Sequence, residues 1–116
     1  MGLAWARGRA GEALAIAYLE LVGYRVVARN RRIGGVEVDV LASDGPAQVI
    51  VEVKYRGRCD YGGAAAAVDH AKRSRLARAA RALLQAGARR VRVDVVAVNL
   101  SPEGATVRHY RDAVVD

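Results

Sequence analysis

The chain has 116 residues, 53% of them apolar, and 19 Lys and Arg against 12 Asp and Glu give it a net charge of +7, with an isoelectric point of about 10.3. That length suits one domain over residues 1–116 with a core of its own, and no uncharged apolar run approaches the roughly 18 residues of a membrane span. Cys59 is the only cysteine, which excludes an internal disulfide and a Cys-based metal site. Arg7, Arg9 and Glu12 come early with no apolar stretch behind a basic start, so no secretory leader is expected and the cytoplasm is the expected location.

Ala4 to Val22 read as a helix capped by Gly23. At about 100° per residue, Trp5, Gly8, Ala15, Ile16 and Leu19 form its apolar stripe, and Glu12 falls inside that stripe, a costly place for an uncompensated carboxylate. Tyr24 to Arg29 read as a strand, followed by a basic turn from Asn30 to Gly35. Val36–Val40 and Val49–Lys54 alternate with the period of a strand around Ser43-Asp44-Gly45-Pro46, forming a hairpin. Gly57 to Gly63 read as a loop and Ala64 to Ala86 as a second helix stopped by Gly87. Its inner stripe is Val68, Leu76, Ala79 and Leu83, with Lys72 between them. Val91 to Val98 is a further strand, and Ala105 to Arg111 adds an edge strand after the Ser101–Gly104 turn.

The hairpin carries the chemistry. A turn centred on Gly45-Pro46 sets Asp39 opposite Glu52 and Glu37 opposite Lys54. Facing carboxylates repel unless a cation lies between them. Mg²⁺ or Mn²⁺ fits such a site, with Asp39, Glu52 and the carbonyl of Val53 as ligands. Lys54 would orient the attacking water and stabilise transition-state charge, while Glu12 and Glu37 would hold waters, bind a second metal or fix Lys54. Only Lys54 and Lys72 are lysines in this Arg-rich chain, which singles them out, since a compact ammonium and a broad guanidinium are not interchangeable at a crowded site. A bland alternative, a surface hairpin with cross-strand ion pairs, explains Glu37 with Lys54 but not Asp39 facing Glu52.

An Asp on one strand followed by Glu-x-Lys on the next resembles the signature of the restriction-endonuclease-like nuclease superfamily. More closely, the chain resembles the small YraN-like bacterial proteins related to archaeal Holliday-junction resolvases. The matching residues are Gly11-Glu12, Ala15, Tyr18-Leu19, Gly23-Tyr24, Arg29-Asn30, Glu37-Val38-Asp39, Val51-Glu52-Val53-Lys54 with Arg56, Tyr61-Gly62, Lys72, Leu76, Ala80 and Arg92-Val93-Asp94-Val95. The resemblance implies an α/β fold with an αβββαβ core, a mixed central sheet flanked by helices. It implies Mg²⁺ on Asp39 and Glu52, a catalytic Lys54 and a contributing Glu12. Gly35-Val36-Glu37 departs from the family wording, in which a Gly directly precedes the Glu. Asp94 matches a family position but reads as structural, pairing Arg92 or the second helix.

If Glu12, Glu37, Asp39 and Glu52 converge, eight acids remain to offset all nineteen bases elsewhere. Such a surface attracts polyanions. Arg29, Arg31, Arg32, Arg56 and Arg58 are the expected backbone-contacting rim, with Lys72 at a substrate phosphate. The expected activity is Mg-dependent endonucleolytic cleavage of DNA, on branched or structured substrates, and paired cuts across a junction would call for a homodimer. The alternatives are a non-catalytic nucleic-acid-binding module and a nuclease for RNA. His70 and His109 stand apart and read as surface or packing residues.

Overall fold

The computed structural model describes the backbone of residues 3–56 and 70–113. Its elements are α1 (Leu3–Leu21), β1 (Arg25–Ile33), β2 (Val36–Asp44), β3 (Ala47–Arg56), α2 (His70–Gln85), β4 (Val91–Ser101) and β5 (Gly104–Tyr110). The loop expected at Gly57–Gly63 and the start expected for the second helix fall outside the described residues, as do Arg58, Cys59 and Tyr61.

The strands form one mixed sheet in the order β1-β2-β3-β4-β5. All neighbours are antiparallel except β3 and β4, which are parallel and joined through α2. α1 and α2 cover opposite faces. On the α2 face, Leu76 and Ala79 pack on Val38, Leu41, Ile50, Val93 and Val95. On the α1 face, Ala15 and Leu19 pack on Val40, Val49, Val51, Val96 and Val98. The runs of Val in β3 and β4 are buried on both faces, as interior strands between two helices must be, each fully buried Val or Leu side chain contributing about 1.5–3 kcal/mol.

Both helix ends follow their glycines. Gly23 has φ 98°, and Gly23 N–H donates to Glu20 O at 3.1 Å while Tyr24 N–H donates to Leu19 O at 2.9 Å, the paired bonds of a Schellman cap. Gly87 ends α2 in the same way, with bonds from Gly87 to Leu84 and Ala88 to Leu83.

The hairpin turn lies where the alternation places it, with Asp44 paired to Ala47 around Gly45-Pro46. The basic turn from Asn30 to Gly35 is corrected: β1 continues to Ile33, which pairs with Val36 around Gly34-Gly35. Those two glycines have φ 60° and 79°, as a two-residue hairpin turn of the primed kind requires. An edge strand leaves one side open to water, so exposed Arg31 and Arg32 sit in it at no desolvation cost.

Candidate functional site

The site begins with a break in alternation. Val36 and Val38 pack on the α2 face, whereas Val40 and Ala42 pack on the α1 face, so the two faces of β2 exchange at Asp39. Across from it, between the pairs Arg29↔Val40 and Arg31↔Val38, stands Asn30. Asn30 has φ 49°, a left-handed conformation that Asn tolerates better than most residues. The two strands therefore kink together, and the Asp39 side chain turns toward β3.

There it takes the place of a rung. The β2–β3 ladder ends at Val40↔Val51, one pair before Asp39 and Glu52 would meet. Beyond that point the Asp39 carboxylate accepts the Val53 N–H at 2.8 Å. In an extended strand a residue offers its N–H and C=O to the same neighbour, so the Val53 carbonyl faces the same gap. The direct cross-strand pairs expected for Asp39 with Glu52 and for Glu37 with Lys54 are thus corrected: these residues lie beyond the end of the ladder.

The acids nevertheless share one cleft of about 350 Å³, lined by Glu37, Asp39 and Glu52 together with Arg32, Lys72 and Arg75. Glu52 is 5% exposed and pairs with Lys72 Nζ at 2.7 Å. Lys72 falls within the inner stripe of the second helix, and α2 delivers it over β3 to Glu52. Burial works against its ammonium, but the bond and charge of Glu52 outweigh that and hold its pKa above the usual lysine value. Lys54 is half-buried and lies beside Lys72.

Burial, then repulsion from Glu52, push the Asp39 carboxyl up to about 6, with Glu12 adding to the rise and the Val53 N–H and Lys72 opposing it. Glu12 is half-buried on α1 and accepts Asn30 Nδ2–H at 3.3 Å. α1 comes this close to β3 because residue 11 is glycine. A Cβ there would lie 2.7 Å from Tyr55 Cδ1, and the buried Tyr55 hydroxyl has no partner among the described residues. Tyr55 is therefore packed against α1.

Among the described residues, no three His, Cys, Asp or Glu gather closely enough to form a metal cage by themselves. A hard cation such as Mg²⁺ does not need one, since it binds through one or two carboxylates and keeps several waters. Asp39, Glu52 and the Val53 carbonyl offer only oxygens, and the repulsion between Glu52 and Asp39 that raises the Asp39 carboxyl is what a divalent cation would relieve. The donor set fits.

Of the basic residues expected at the nucleic acid, Arg32 and Lys72 line this cleft. Arg29 lines a neighbouring one, and Arg31 is exposed on β1. Arg56 lies at the end of β3, its side chain outside the described residues. Asn30 matches the family pattern but neither it nor Arg75 was expected at this site from the sequence. Arg75 is one of many arginines on its helix, and the left-handed turn at Asn30 leaves only the weak signal of an Asn inside a strand.

A second polar cluster lies on the α1 face. Asp94, 0% exposed, accepts from Tyr24 Oη at 2.8 Å, Arg92 Nε at 3.0 Å and the Asp112 N–H at 2.9 Å. His109 Nε2 lies 2.8 Å from it, and His109 Nδ1 lies 3.0 Å from the Tyr18 hydroxyl. Arg92 also bonds Tyr24 Oη and Asp44. Burial alone would raise the Asp94 pKa, but Arg92 and the other donors more than offset it and hold it below the usual carboxylate range. Desolvation and the bond to Asp94 push the Tyr24 phenol up to about 12. The structural reading of Asp94, paired with Arg92, stands.

No helix among the described residues is long and apolar enough to cross a membrane. The family model described as "Uncharacterised protein family UPF0102" matches residues 11–98. A UPF0102 protein of Halorhodospira halophila is 45% identical over 107 residues, covering 92% of this chain and 85% of the relative. One of Syntrophus aciditrophicus is 40% identical over 109 residues, covering 91% and 86%. A third, of Sorangium cellulosum, is 40% identical over 115 residues, covering 93% and 80%. The matched segment runs from Gly11, against Tyr55, through the acidic cleft to Val98, and on these matches the chain belongs to the UPF0102 family.

Proposed function

We propose that the protein is a divalent-metal-dependent endonuclease of the restriction-endonuclease-like superfamily, cutting DNA phosphodiesters in branched or structured substrates. The observation that carries this reading is the Asp39–Glu52 pair, brought into one cleft where the β2–β3 ladder ends, with the Asp39 carboxyl still raised by burial and by Glu52 despite the Val53 N–H and Lys72. The element order α1-β1-β2-β3-α2-β4, with β3 parallel to β4, supports the superfamily assignment because it reproduces the αβββαβ order the motif implies.

Asp39, Glu52 and the Val53 carbonyl would hold Mg²⁺ or Mn²⁺. Such an ion, when bound, polarises the phosphate and lowers the pKa of a coordinated water. The chain's own groups do the rest. The Val53 N–H fixes the rotamer of Asp39. Lys72 holds Glu52 in place and stands with Arg32 and Arg75 where negative charge would build on a phosphate. Lys54, beside Lys72, orients the attacking water. The exposed arginines contact backbone phosphates and carry no base-reading geometry.

A non-catalytic binding module is the second reading, favoured by the Glu52–Lys72 pair, which neutralises Glu52 without any metal. Cleavage of linear, nicked and four-way-junction DNA with and without Mg²⁺ separates the two. The nuclease reading requires metal-dependent cutting by the wild type that is lost in Asp39→Asn. DNA binding with no cutting under any metal supports the module and refutes the nuclease.

A further inference from the structure

The kink at Asp39 can be approached from both faces of the sheet. The cleft beside α2 holds three acids, Glu37, Asp39 and Glu52, against three bases, Arg32, Lys72 and Arg75. Its charges balance, so it has little pull on a phosphate until a cation enters. A second cleft, of about 600 Å³, opens on the α1 side and is lined by Arg9, Ala10, Glu12, Ala13, Arg29 and Asn30. Two guanidinium groups face one carboxylate there, a net positive charge without any metal. Asn30 joins the two clefts, since it bonds Glu12 on one side and stands across from Asp39 on the other.

We propose that the α1-side cleft is a second nucleic-acid subsite, which holds backbone phosphates of the strand running on from the α2-side cleft and does so without metal. This rests on the reading of Asp39 and Glu52 as a nuclease centre. Guanidinium groups suit phosphate oxygens through paired charge-assisted bonds. β1 is an edge strand, so a strand can pass around it from one face of the sheet to the other. An intact duplex resists so sharp a turn within a few nucleotides, its persistence length being about 150 base pairs, whereas a single strand makes it at little cost. The subsite therefore favours a strand separated from its complement, as at a branch or a flap.

The test is fluorescence anisotropy in EDTA with a labelled single-stranded oligonucleotide and a hairpin duplex of the same length. The expected result is tighter binding of the single strand, about tenfold weaker binding by Arg29→Ala, and a salt dependence reduced by about one phosphate contact. Glu12→Gln keeps its acceptor for Asn30 and removes a like charge, so it should bind several-fold more tightly, an effect a purely structural Glu12 would not produce. Asn30→Gly accepts the left-handed φ and, with an unchanged circular dichroism spectrum, controls for folding at the kink. The subsite is overturned if Arg29→Ala and Glu12→Gln both bind like the wild type, if duplex and single strand bind equally, or if the wild type binds neither in EDTA. Metal-dependent cleavage alongside any of those results would overturn the subsite alone. The expected binding changes without metal-dependent cleavage would sustain the subsite and overturn the nuclease.

Discussion

Asp39→Asn should stabilise this protein while removing its proposed activity. In the folded chain the Asp39 carboxyl is raised from 3.8 to about 6 by burial and by Glu52. The folded state therefore holds its proton more tightly than the unfolded chain does. Below about pH 4 both states are protonated and nothing is lost. Between about pH 4 and 6 the unfolded chain ionises first, so stability falls as pH rises, and above about 6 the loss is complete. A rise of that size corresponds to about 3 kcal/mol at 1.36 kcal/mol per pH unit, and residual solvent access makes this an upper bound. Asn carries no charge, and its side-chain oxygen can still accept the Val53 N–H. Urea unfolding of both proteins in EDTA from pH 4 to 8 measures the difference. The variant should gain about 1–3 kcal/mol at pH 7.5 and about none at pH 4. A variant that is equally or less stable at pH 7.5, or a difference independent of pH, would refute the electrostatic reasoning.

Asp94→Ala leaves Arg92 with Asp44 as its remaining carboxylate and strips a shared partner from Tyr24, His109 and the Asp112 N–H, so thermal unfolding should show a loss of about 3–5 kcal/mol, at about 1–3 kcal/mol for each buried group left unpaired. Gly34→Ala should cost more than Gly35→Ala in the same assay: both have positive φ, but only at position 34 does a Cβ meet a neighbour, Ala82 Cβ at 2.9 Å. The left-handed backbone accounts for about 1–2 kcal/mol in each, and the contact for the excess at 34. Lys72→Met removes the cation that competes for Glu52, so calorimetry should find tighter Mg²⁺ binding while cleavage slows at least tenfold.

The hairpin was legible because its information is local. Alternating Val with charged residues, and Gly45-Pro46 between them, set the turn and the register as far as Val40↔Val51 without reference to the rest of the chain. The reach of β1 was not legible. Asn30-Arg31-Arg32 has the composition of a turn, yet an exposed edge strand accepts it, and only the left-handed Asn30 shows how the chain continues to Ile33. Glu12 and Lys72 were both marked by charge on an apolar stripe, a signal that survives because burying an unpaired charge is costly. That Lys72 meets Glu52 depends on how α2 docks across the sheet, which helical periodicity does not encode. The kink at Asp39 depends likewise on a partner strand, where Asn30 must turn with it. For Asp94, a carboxylate within a Val-rich strand announced a buried pair, but the contributions of His109, Tyr18 and Tyr24 come from elements distant in sequence and joined only in the fold.

The nuclease reading stands on a divalent cation held by Asp39 and Glu52. Isothermal titration of Mn²⁺ into the wild type, Asp39→Asn and Glu52→Gln at pH 7.5 and again at pH 5 tests it most directly. Binding by the wild type at pH 7.5 that weakens at pH 5, as Asp39 takes up its proton near 6, and that is lost in both variants, is the predicted result. Mn²⁺ binding that is the same in all three proteins, or absent from the wild type at pH 7.5, would contradict the account.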